Sequence, residues 1–500
     1  MMGNIKSIDR ILSKTAQILP NKTVMHYENE NISYSQLDKE VNNLAQGLME
    51  LGVKPSDKVA IVLGNCPNFV RIYFAILRAA GTVVPLNPLY KADEIHYILN
   101  DGKVKLLIID QELLPMIREV RVEKPDLNII STGGTKEEGI ISFEELLKKE
   151  AEPVDRNVEE NDLAVCLYTS GTSGRPKGAL LSHGNLLFIT NALITRMGIR
   201  EDDHNLCVIP LSHAFSQFTN MLMPIFVGGS FTILPRFIPN AVLGEIASKK
   251  ISYFCAVPAM YSALLVALSQ EHNFDISSLR ICLSGGAPLS VEIIKEFTNR
   301  YGIPLVEGSG PSEAVACIGL YQAIKPGSVG PALDGVNVKV VNDHDQELPH
   351  GEIGEFCVQG PNVMQGYLNL PEATDEALRG GWFHTGDLAK IDEDGYVYIV
   401  GRKKDMILVG GMNVYPSEVE QCLFYHPQIL EAAVIGSPDK DRGEVPKAFI
   451  VLKLGASAEP TEFILYCRRH LANYKCPRQV VILDSLPKNP TGKVDKKQLA

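Results

Sequence analysis

The segment that most constrains the fold is an apolar run that leads directly into a loop rich in glycine, serine and threonine. Residues 163–168 read Leu-Ala-Val-Cys-Leu-Tyr, and residues 169–178 read Thr-Ser-Gly-Thr-Ser-Gly-Arg-Pro-Lys-Gly. A short continuous apolar run bounded by turn residues indicates a buried strand, typical of the middle of an α/β sheet. Glycines let backbone N–H groups close around phosphate oxygens, while hydroxyl groups and Lys177 add donors and positive charge. The sequence therefore predicts a strand whose end carries a triphosphate-binding loop.

The loop residues that can contact phosphate oxygens are Thr169, Ser170, Gly171, Thr172, Ser173 and Gly174. The loop is not the P-loop of NTPases, because no Ser or Thr follows its Gly and Lys at the spacing that this motif requires. A flexible surface loop is the alternative explanation for so much glycine and serine. The position directly after a buried strand favours phosphate binding.

Alternating strands and helices before this loop predict a parallel sheet. Apolar residues recur at helical spacing over residues 37–51, with Ser35 as the candidate N-cap. Residues 58–63 and 82–86 are short apolar runs, and Pro67 opens a helix between them. Strands that alternate with helices in this way form doubly wound α/β sheets.

The pattern changes after residue 328, where short strands separated by glycine and aspartate predict a small β-barrel or sandwich. Beyond residue 402, helices and strands alternate again on a smaller scale. We therefore predict an α/β fold. Its large N-terminal domain, residues 1–403, contains doubly wound α/β subdomains plus the β-barrel. A small mobile α+β domain, residues 404–500, follows.

The overall charge limits which ligands the surface attracts. The 500 residues include 48 Lys and Arg against 59 Asp and Glu, which gives a net charge of −11. Such a chain is not expected to bind nucleic acid or an anionic membrane through a general basic surface. A polyanionic ligand must instead be bound by a few placed groups.

The cysteines and the N-terminus indicate an intracellular protein. The ten cysteines are scattered and never form a C-x-x-C pair, which is typical of reduced thiols in a core. The first twenty residues mix charged residues with single apolar ones, so a secretory signal is not expected. We predict a cytoplasmic protein.

Two uncharged stretches are long enough to be considered as candidate membrane spans. Residues 204–235 and 251–270 contain no Asp, Glu, Lys or Arg. Prolines, glycines and polar residues interrupt both, so neither is a continuous apolar span of ~20 residues. We predict buried strand, loop and helix. The sequence leaves open whether the first stretch is plain core or lines a tunnel for an apolar ligand.

Seven further motifs follow the loop along the chain. They read PLSH at 210–213, SGGAP at 284–288, GSGPSE at 308–313, WFHTGDL at 382–388, GRKKD at 401–405, GGMNVYP at 410–416 and PTGK at 490–493. With these motifs in this order, the chain resembles the acyl-adenylate-forming superfamily of acyl-CoA synthetases, nonribosomal-peptide adenylation domains and luciferases. The resemblance covers essentially the whole chain. The sequence around Lys404 and Asn413 is most similar to that of bacterial long-chain fatty-acid–CoA ligases.

The resemblance implies an enzyme that uses ATP to convert a carboxylic acid into an acyl-adenylate and then transfers the acyl group to a thiol. Positive charge is needed where the carboxylate attacks the α-phosphate. Lys493, Lys177 and Glu313 are the implied catalytic residues, and Glu313 with Thr169 is the implied Mg²⁺ site. By their residue types alone, Lys493 also fits a solvated terminal lysine, and Glu313 also fits an ordinary helix N-terminus.

The nucleotide contacts that the resemblance implies are Thr169, Ser170, Gly171, Thr172, Ser173, Gly174, Gly286, Ala287, Pro288, Gly308, Ser309, Ser312, Asp387, Arg402 and Lys404. Asp387 and Arg402 would hold the ribose, although Asp in a Thr-Gly-Asp turn is equally common as a structural residue. The chain departs from the family at Ser309, where an aromatic residue usually stacks on adenine, and at Pro311.

The resemblance also implies sites for the acyl group and for CoA. His213 and Phe215 would lie near the acyl chain, although a single histidine among apolar residues also fits a core residue with a satisfied hydrogen bond. Lys404 occupies the hinge position. Rotation of the small domain there would withdraw Lys493 from the active site and bring the face with Gly410 and Gly411 to it. The pantetheine thiol would enter along that face.

We therefore expect an ATP- and Mg²⁺-dependent ligase that joins a medium- to long-chain fatty acid to CoA. One alternative is transfer to the phosphopantetheine of a carrier protein, since both acceptors share pantetheine. A second alternative is a non-catalytic homologue that binds acyl or nucleotide ligands. The sequence leaves the oligomeric state open, with a homodimer as one form, and predicts neither a nucleic-acid partner nor a transmembrane segment.

Overall fold

The structure is a computed structural model that describes residues 5–124, 126–134, 137–169, 175–270, 274–287, 289–453, 455–488 and 494–500. Within these ranges, no helix combines the length and the apolar composition needed to cross a membrane.

The strands, in chain order, are β1 (Thr23–Tyr27), β2 (Glu30–Ser33), β3 (Lys58–Val62), β4 (Thr82–Leu86), β5 (Leu106–Asp110), β6 (Asn128–Thr132), β7 (Ile141–Ser142), β8 (Leu163–Thr169), β9 (Lys177–Ser182), β10 (His204–Cys207), β11 (Ser230–Ile233), β12 (Tyr253–Ala256), β13 (Ile281–Gly285), β14 (Leu305–Ser309), β15 (Cys317–Ile318), β16 (Asn337–Val341), β17 (Gly354–Gln359), β18 (Gly366–Tyr367), β19 (Phe383–Ile391), β20 (Val397–Arg402), β21 (Ile407–Val409), β22 (Met412–Val414), β23 (Ile429–Asp439), β24 (Gly443–Leu452) and β25 (Gln479–Ile482).

The α-helices are α1 (Ile8–Ile18), α2 (Tyr34–Glu50), α3 (Pro67–Arg78), α4 (Ala92–Asp101), α5 (Arg118–Glu123), α6 (Phe143–Lys148), α7 (His183–Met197), α8 (Ala214–Ser216), α9 (Met223–Val227), α10 (Pro239–Lys249), α11 (Pro258–Gln270), α12 (Val291–Tyr301), α13 (Pro371–Ala377), α14 (Pro416–Phe424) and α15 (Pro460–His470). Short 3₁₀ segments lie at Gln111–Ile117, Arg379–Gly381, Lys403–Asp405 and Lys496–Gln498, and a π-helical segment lies at Gln217–Leu222.

The apolar strand that precedes the glycine-rich loop lies inside an eight-stranded sheet with the order β18-β9-β8-β4-β3-β5-β6-β7. Strands β8, β4, β3, β5 and β6 pair in parallel, and α3 and α4 connect successive strands, as the alternating pattern predicts. All five residues of β4 are buried. Helices cover both faces of such a strand, which explains its unbroken apolar sequence.

The predicted cap of α2 is wrong by two residues. The helix begins at Tyr34, and Ser33 is its N-cap, with the Ser33 hydroxyl accepting the Gln36 N–H at 3.2 Å. Ser33 still has the extended backbone of β2, so the chain passes from strand to helix without a loop. Ser35 lies in the first helical turn instead.

A second eight-stranded sheet, with the order β15-β14-β13-β12-β10-β11-β1-β2, contains the uncharged stretches. The first stretch forms β10, α8, the π-helical segment, α9 and β11, and the second forms β12 and α11. Most residues of the first stretch and all four of β12 are buried, as predicted, whereas α11 buries only one face and leaves Ala259, Val266 and Ser269 exposed. A continuous apolar core lies between the two large sheets and includes Phe74, Leu167 and Phe218.

The strand-rich segment and the C-terminal segment form two smaller sheets. The first is antiparallel with the order β16-β17-β19-β20, in the region where the sequence predicts the β-barrel. The second has the order β22-β21-β24-β23, with β25 beside β24, and packs with α14 and α15 around a core of its own. The structure confirms the predicted fold class, an α/β protein with a large N-terminal part and a small C-terminal α+β part.

All ten cysteines are free thiols, and every one except the half-buried Cys66 is buried. Burial raises the pKa of the Cys207 and Cys282 thiols to about 12, because a thiolate is poorly solvated in the core. The prediction of reduced core thiols is confirmed.

Candidate active site

The glycine-rich loop connects two antiparallel strands. It joins the end of β8 to the start of β9, and Thr169 and Lys177 are directly paired across the hairpin. The strand–loop–strand connection differs from that of a P-loop, in which a helix follows the loop. The predicted phosphate-binding residues Ser170, Gly171, Thr172, Ser173 and Gly174 lie outside the described residues. The hairpin therefore places one hydroxyl and one ammonium group at the base of the loop.

Helix α4 supports the base of this hairpin. The Tyr97 hydroxyl donates to the Pro176 carbonyl at 3.3 Å, and the Arg175 guanidinium lies 5.6 Å from the centre of the Tyr97 ring. One turn further along α4, the Asp101 carboxylate accepts the Tyr168 hydroxyl at 2.7 Å. Sequence reasoning missed this support, because a Tyr and an Asp on a helix carry no local signal for a loop about seventy residues away.

Glu313 follows β14 and turns its carboxylate toward the same hairpin. The Thr169 hydroxyl donates to Glu313 Oε1 at 3.1 Å, and the Tyr367 hydroxyl donates to the same oxygen at 3.1 Å. The Glu313 carbonyl accepts the Met364 N–H at 2.8 Å. The residue is only 8% exposed. The structure thus brings together the two predicted Mg²⁺ ligands.

Tyr367 lies between the Glu313 carboxylate and Lys177, the lysine predicted to bind phosphate. The Lys177 ammonium lies 5.0 Å from the centre of the Tyr367 ring. Strand β18, which carries Tyr367, pairs with β9. Burial and the neighbouring Glu313 carboxylate raise the pKa of the Tyr367 phenol, since both disfavour a phenolate. The sequence offers little signal for Tyr367, because a Gly-Tyr pair occurs in many strands.

The residues predicted to surround adenine lie at one edge of the second sheet. Strands β13 and β14 are parallel and adjacent, with Gly285 paired to Gly308, so their carboxyl ends meet. Gly286, at φ +86°, and Ala287 follow β13, while Ser309 ends β14. Pro288 lies outside the described residues. Crevices beyond the carboxyl ends of parallel strands are where α/β proteins bind nucleotides.

The connection after β14 is a tight turn that leads to Glu313. A side chain at Gly310 would lie 2.5 Å from the Val315 Cα atom, so only glycine fits there. The predicted contact Ser312 is half-buried within this turn. Ser309 pairs with Cys317 of β15, and its own small side chain supplies no aromatic ring at the end of β14. The serine that replaces the usual aromatic residue is therefore a paired residue at the end of β14.

Asp387 and Arg402 are paired residues on β19 and β20. The Arg402 Nε atom lies 2.7 Å from Asp387 Oδ1, and the Asp387 backbone N–H donates to the Thr385 hydroxyl at 3.1 Å. Asp387 is buried, whereas 47% of the Arg402 side chain is exposed. The positive charge of Arg402 also acts on Tyr367, where it favours the phenolate. The predicted ribose-binding pair therefore adjoins the Glu313 cluster.

Phe215 lies beside the end of β13, two residues after His213. The His213 ring caps α8, with Nδ1 accepting the Phe215 N–H at 3.2 Å. The Phe215 ring covers Gly285 so closely that a Cβ atom there would lie 3.1 Å from ring atom Cζ. The π-helical segment Gln217–Leu222 follows directly, and such segments are frequent at functional sites. The predicted acyl residue Phe215 therefore borders the predicted adenine edge.

The remaining predicted residues lie in the C-terminal part. Lys404 is exposed in the 3₁₀ segment after β20. Gly410 and Gly411 form the exposed turn between β21 and β22, at φ +56° and +83°. The predicted catalytic Lys493 lies outside the described residues.

The arrangement fits a metal-bound nucleotide in its residue types. Both hydrogen bonds that described side chains donate to the Glu313 carboxylate end on Oε1, so Oε2 is left for a cation. Mg²⁺ is commonly held by one or two carboxylates together with substrate phosphates. In the described part of the chain, no group of three or more His, Cys, Asp or Glu side chains is arranged to hold a metal ion.

Comparisons with known proteins cover most of the chain. A family model described as AMP-binding enzyme matches residues 12–368, and one described as AMP-binding enzyme C-terminal domain matches residues 418–493. A long-chain-fatty-acid–CoA ligase from Bacillus subtilis (strain 168) is 35% identical over 528 residues, which cover 99% of this chain and 94% of that protein. A feruloyl-CoA synthase from Amycolatopsis sp is 35% identical over 487 residues, which cover 97% and 96%.

A solved structure is similar over the same length. The anthranilate CoA ligase AuaEII in complex with anthranoyl-AMP matches with a TM-score of 0.93 at 30% identity, over 99% of this chain and 96% of that one. The three proteins are named for a fatty acid, a hydroxycinnamic acid and an amino-substituted aromatic acid.

Proposed function

Because this chain belongs to the family of AMP-binding enzymes, we propose that it activates a medium- to long-chain fatty acid and transfers it to CoA. The chain is an ATP-dependent acid–CoA ligase that works through an acyl-adenylate. The nature of the acid is the proposed part, because relatives named for a fatty acid and for ferulate are equally identical to this chain.

The observation that carries the fatty-acid proposal is the apolar surroundings of Phe215. The Phe215 ring packs on Gly285 at the end of β13, next to the proposed adenine edge. Residues 204–235 around it contain no Asp, Glu, Lys or Arg. A hydrocarbon chain is favoured in such surroundings by about 0.8 kcal/mol for each buried CH₂ group. An acid with a charged or amino-bearing tail gains nothing comparable.

In the first step, the fatty-acid carboxylate attacks the α-phosphate of ATP and pyrophosphate leaves. Two anionic groups approach each other, so the site must supply positive charge. Lys177 supplies an ammonium group at the base of the phosphate loop, and we assign Lys493 to the α-phosphate and the carboxylate. Glu313 and Thr169 would hold Mg²⁺, which supplies further positive charge to the phosphates when it is bound.

The nucleoside is held by groups on both sides of this cluster. We assign the ribose to Asp387 and Arg402, because a buried carboxylate beside a guanidinium can accept hydroxyl hydrogens. Gly286, Ala287 and Ser309 border the adenine. Their backbone approaches closely because none of the three has a large side chain.

In the second step, the CoA thiol attacks the acyl-adenylate and AMP leaves. We propose that residues 404–500 rotate about Lys404 between the two steps. Gly410 and Gly411 form an exposed turn that is free of side chains, which suits passage of a pantetheine arm. One active site then serves both reactions.

A panel of acids tests the substrate. Acetate, octanoate, palmitate, ferulate and indoleacetate are each supplied with ATP, Mg²⁺ and CoA, and pyrophosphate release is measured. We expect octanoate or palmitate to have the highest kcat/KM, by about 10-fold or more over each aromatic acid, since several buried CH₂ groups separate them.

Product analysis separates the acceptors. Acyl-CoA formed from free CoA supports the proposal. A higher kcat/KM for ferulate or indoleacetate contradicts the fatty-acid assignment and leaves the ligase activity in place. Transfer to a carrier protein with no acyl-CoA formed from free CoA contradicts the proposed acceptor.

A further inference from the structure

Tyr367 touches the two groups that the proposed reaction needs at the phosphate end of ATP. Its hydroxyl donates to Glu313 Oε1 at 3.1 Å, the same oxygen that accepts the Thr169 hydroxyl at 3.1 Å. Two donors on one oxygen fix the rotation of the carboxylate about its terminal bond. The other oxygen is thereby oriented without a protein donor from the described residues.

The Tyr367 ring acts on the lysine of the hairpin. The Lys177 ammonium lies 5.0 Å from the ring centre, within the range of a cation–π contact. Such a contact restricts the rotation of the flexible four-carbon lysine side chain. The same tyrosine therefore positions a cation with its ring and an anion with its hydroxyl.

The backbone holds Tyr367 in place. Strand β18 pairs with β9, with Tyr367 opposite Ala179 and Gly366 opposite Leu180. The Tyr367 N–H donates to the Thr374 hydroxyl at 2.9 Å, which ties the strand to α13. The side chain thus starts from a strand that is hydrogen-bonded on both sides.

We propose that Tyr367 is a positioning residue that holds the Glu313 carboxylate and the Lys177 ammonium in the arrangement needed to bind metal-bound ATP. The inference deepens the proposed function and rests on ATP being the substrate. Two contributions are separable, because the hydroxyl acts on the carboxylate and the ring acts on the lysine.

Two variants separate these contributions. Tyr367→Phe removes only the hydroxyl, and Tyr367→Leu also removes the ring beneath Lys177. The matched control is Tyr396→Phe. Tyr396 also donates its hydroxyl, to the Ala323 carbonyl at 2.8 Å, and also has a lysine, Lys325, 4.2 Å from its ring centre. That cluster lies outside the proposed site.

The measurement is the equilibrium dissociation constant of ATP, determined by calorimetry on the full-length protein with and without Mg²⁺. Tyr367→Phe is expected to weaken ATP binding with Mg²⁺ by about 10- to 100-fold, because one hydrogen bond to a charged group is lost. Binding without Mg²⁺ should change by less than about 3-fold, because Lys177 keeps its ring contact. Tyr367→Leu should weaken binding under both conditions.

A kinetic measurement checks the same point. The Mg²⁺ concentration that gives half-maximal ATP–pyrophosphate exchange should rise in Tyr367→Phe and stay unchanged in Tyr396→Phe. Unchanged ATP binding in Tyr367→Phe with Mg²⁺ overturns the inference, as does an equal loss in the Tyr396→Phe control. Thermal unfolding midpoints within about 5 °C of the unsubstituted protein verify that the variants are folded.

The outcome is independent of the fatty-acid proposal. If no acid in the panel yields acyl-CoA, the proposed function fails, while calorimetry with ATP still decides the role of Tyr367. If acyl-CoA forms and Tyr367→Phe binds ATP with Mg²⁺ normally, only the inference about Tyr367 fails.

Discussion

Glu307 shows how its surroundings control a single carboxyl group near the proposed adenine edge. It lies in β14 at 7% exposure, and Oε1 accepts the Leu289 N–H at 3.1 Å. Burial raises the pKa of Glu307 to about 8, and the Leu289 hydrogen bond only partly offsets this effect. Glu307 links β14 to the segment that begins at Leu289, so its protonation state affects both stability and the position of that segment.

Replacement of Glu307 by Gln should change how stability depends on pH. An unfolded glutamate titrates near 4.5 and folded Glu307 near 8, so the folded state binds the extra proton between these values. The stabilisation that comes from this raised pKa is fully present below pH 4.5 and is lost as the pH rises toward 8. Glu307→Gln keeps an acceptor for Leu289 and cannot ionise. We expect the variant to gain stability relative to the natural protein, on the order of a few kcal/mol by pH 8.

Urea unfolding at several pH values between 5 and 8 measures this difference. Parallel pH curves for the two proteins would show that Glu307 does not titrate in this range. The conservative variant Glu307→Asp, which remains ionisable, is the control and should retain the slope.

At the scale of single elements, the β8–β9 hairpin depends on a helix that lies far from it in the chain. Tyr97 and Asp101, one turn apart on α4, hold Pro176 and Tyr168 at the two ends of the loop. Asn369, just after β18, donates to the Asp101 carbonyl at 2.7 Å. If the loop binds a triphosphate as proposed, fixed ends favour binding, because less conformational entropy is lost when the ligand binds.

Truncation of Tyr97 should therefore weaken nucleotide binding more than it slows the reaction. Tyr97→Ala removes both the hydrogen bond to Pro176 and the ring beneath Arg175. We expect KM for ATP to rise by about 3- to 30-fold, with a smaller change in kcat. Tyr97→Phe keeps the ring, so its KM for ATP should lie between those of the unsubstituted protein and Tyr97→Ala. A fall in kcat at unchanged KM would mean that α4 acts on the reaction rather than on the loop.

At the scale of the whole molecule, ion pairs hold the chain on the N-terminal side of the proposed hinge. Lys403 lies 3.0 Å from Asp343 Oδ1 and 3.3 Å from Glu355 Oε2, and Arg379 lies 3.3 Å from the same glutamate oxygen. The buried Glu355 thus ties the chain to the four-stranded sheet up to residue 403. The next residue, Lys404, is exposed, so rotation is expected to begin there.

The two half-reactions should respond to different variants. Lys404→Pro fixes φ and restricts rotation, so ATP–pyrophosphate exchange should stay within about 3-fold while thioester formation falls by more than 10-fold. Lys493→Ala should lower the exchange reaction itself by about 10²- to 10³-fold, because it removes the positive charge that we propose acts at the α-phosphate. Exchange and thioester formation are assayed separately for each variant. Equal losses of both activities in Lys404→Pro would contradict a hinge at this residue.

Local sequence was sufficient for elements whose pattern is self-contained. Strand β4 matches its predicted bounds, because a strand buried on both faces must be apolar throughout. Proline at the first position of α3 marks the start of that helix. The cap of α2 was misplaced, because Ser33 and Ser35 are chemically equivalent and the end of β2 decides between them.

The sequence by itself determined the fold class and the kinds of group at the site: a hydroxyl-rich loop, a lysine, a carboxylate and an Asp–Arg pair. Only the tertiary structure decided which groups meet. Thr169 and Glu313 are 144 residues apart, and Glu313 and Tyr367 are 54 apart, yet all three join at one carboxylate oxygen. Periodicity and local propensity act over a few residues. Contacts across sheets depend on strand order and register, so Tyr367 and Tyr97 became visible only in the folded chain.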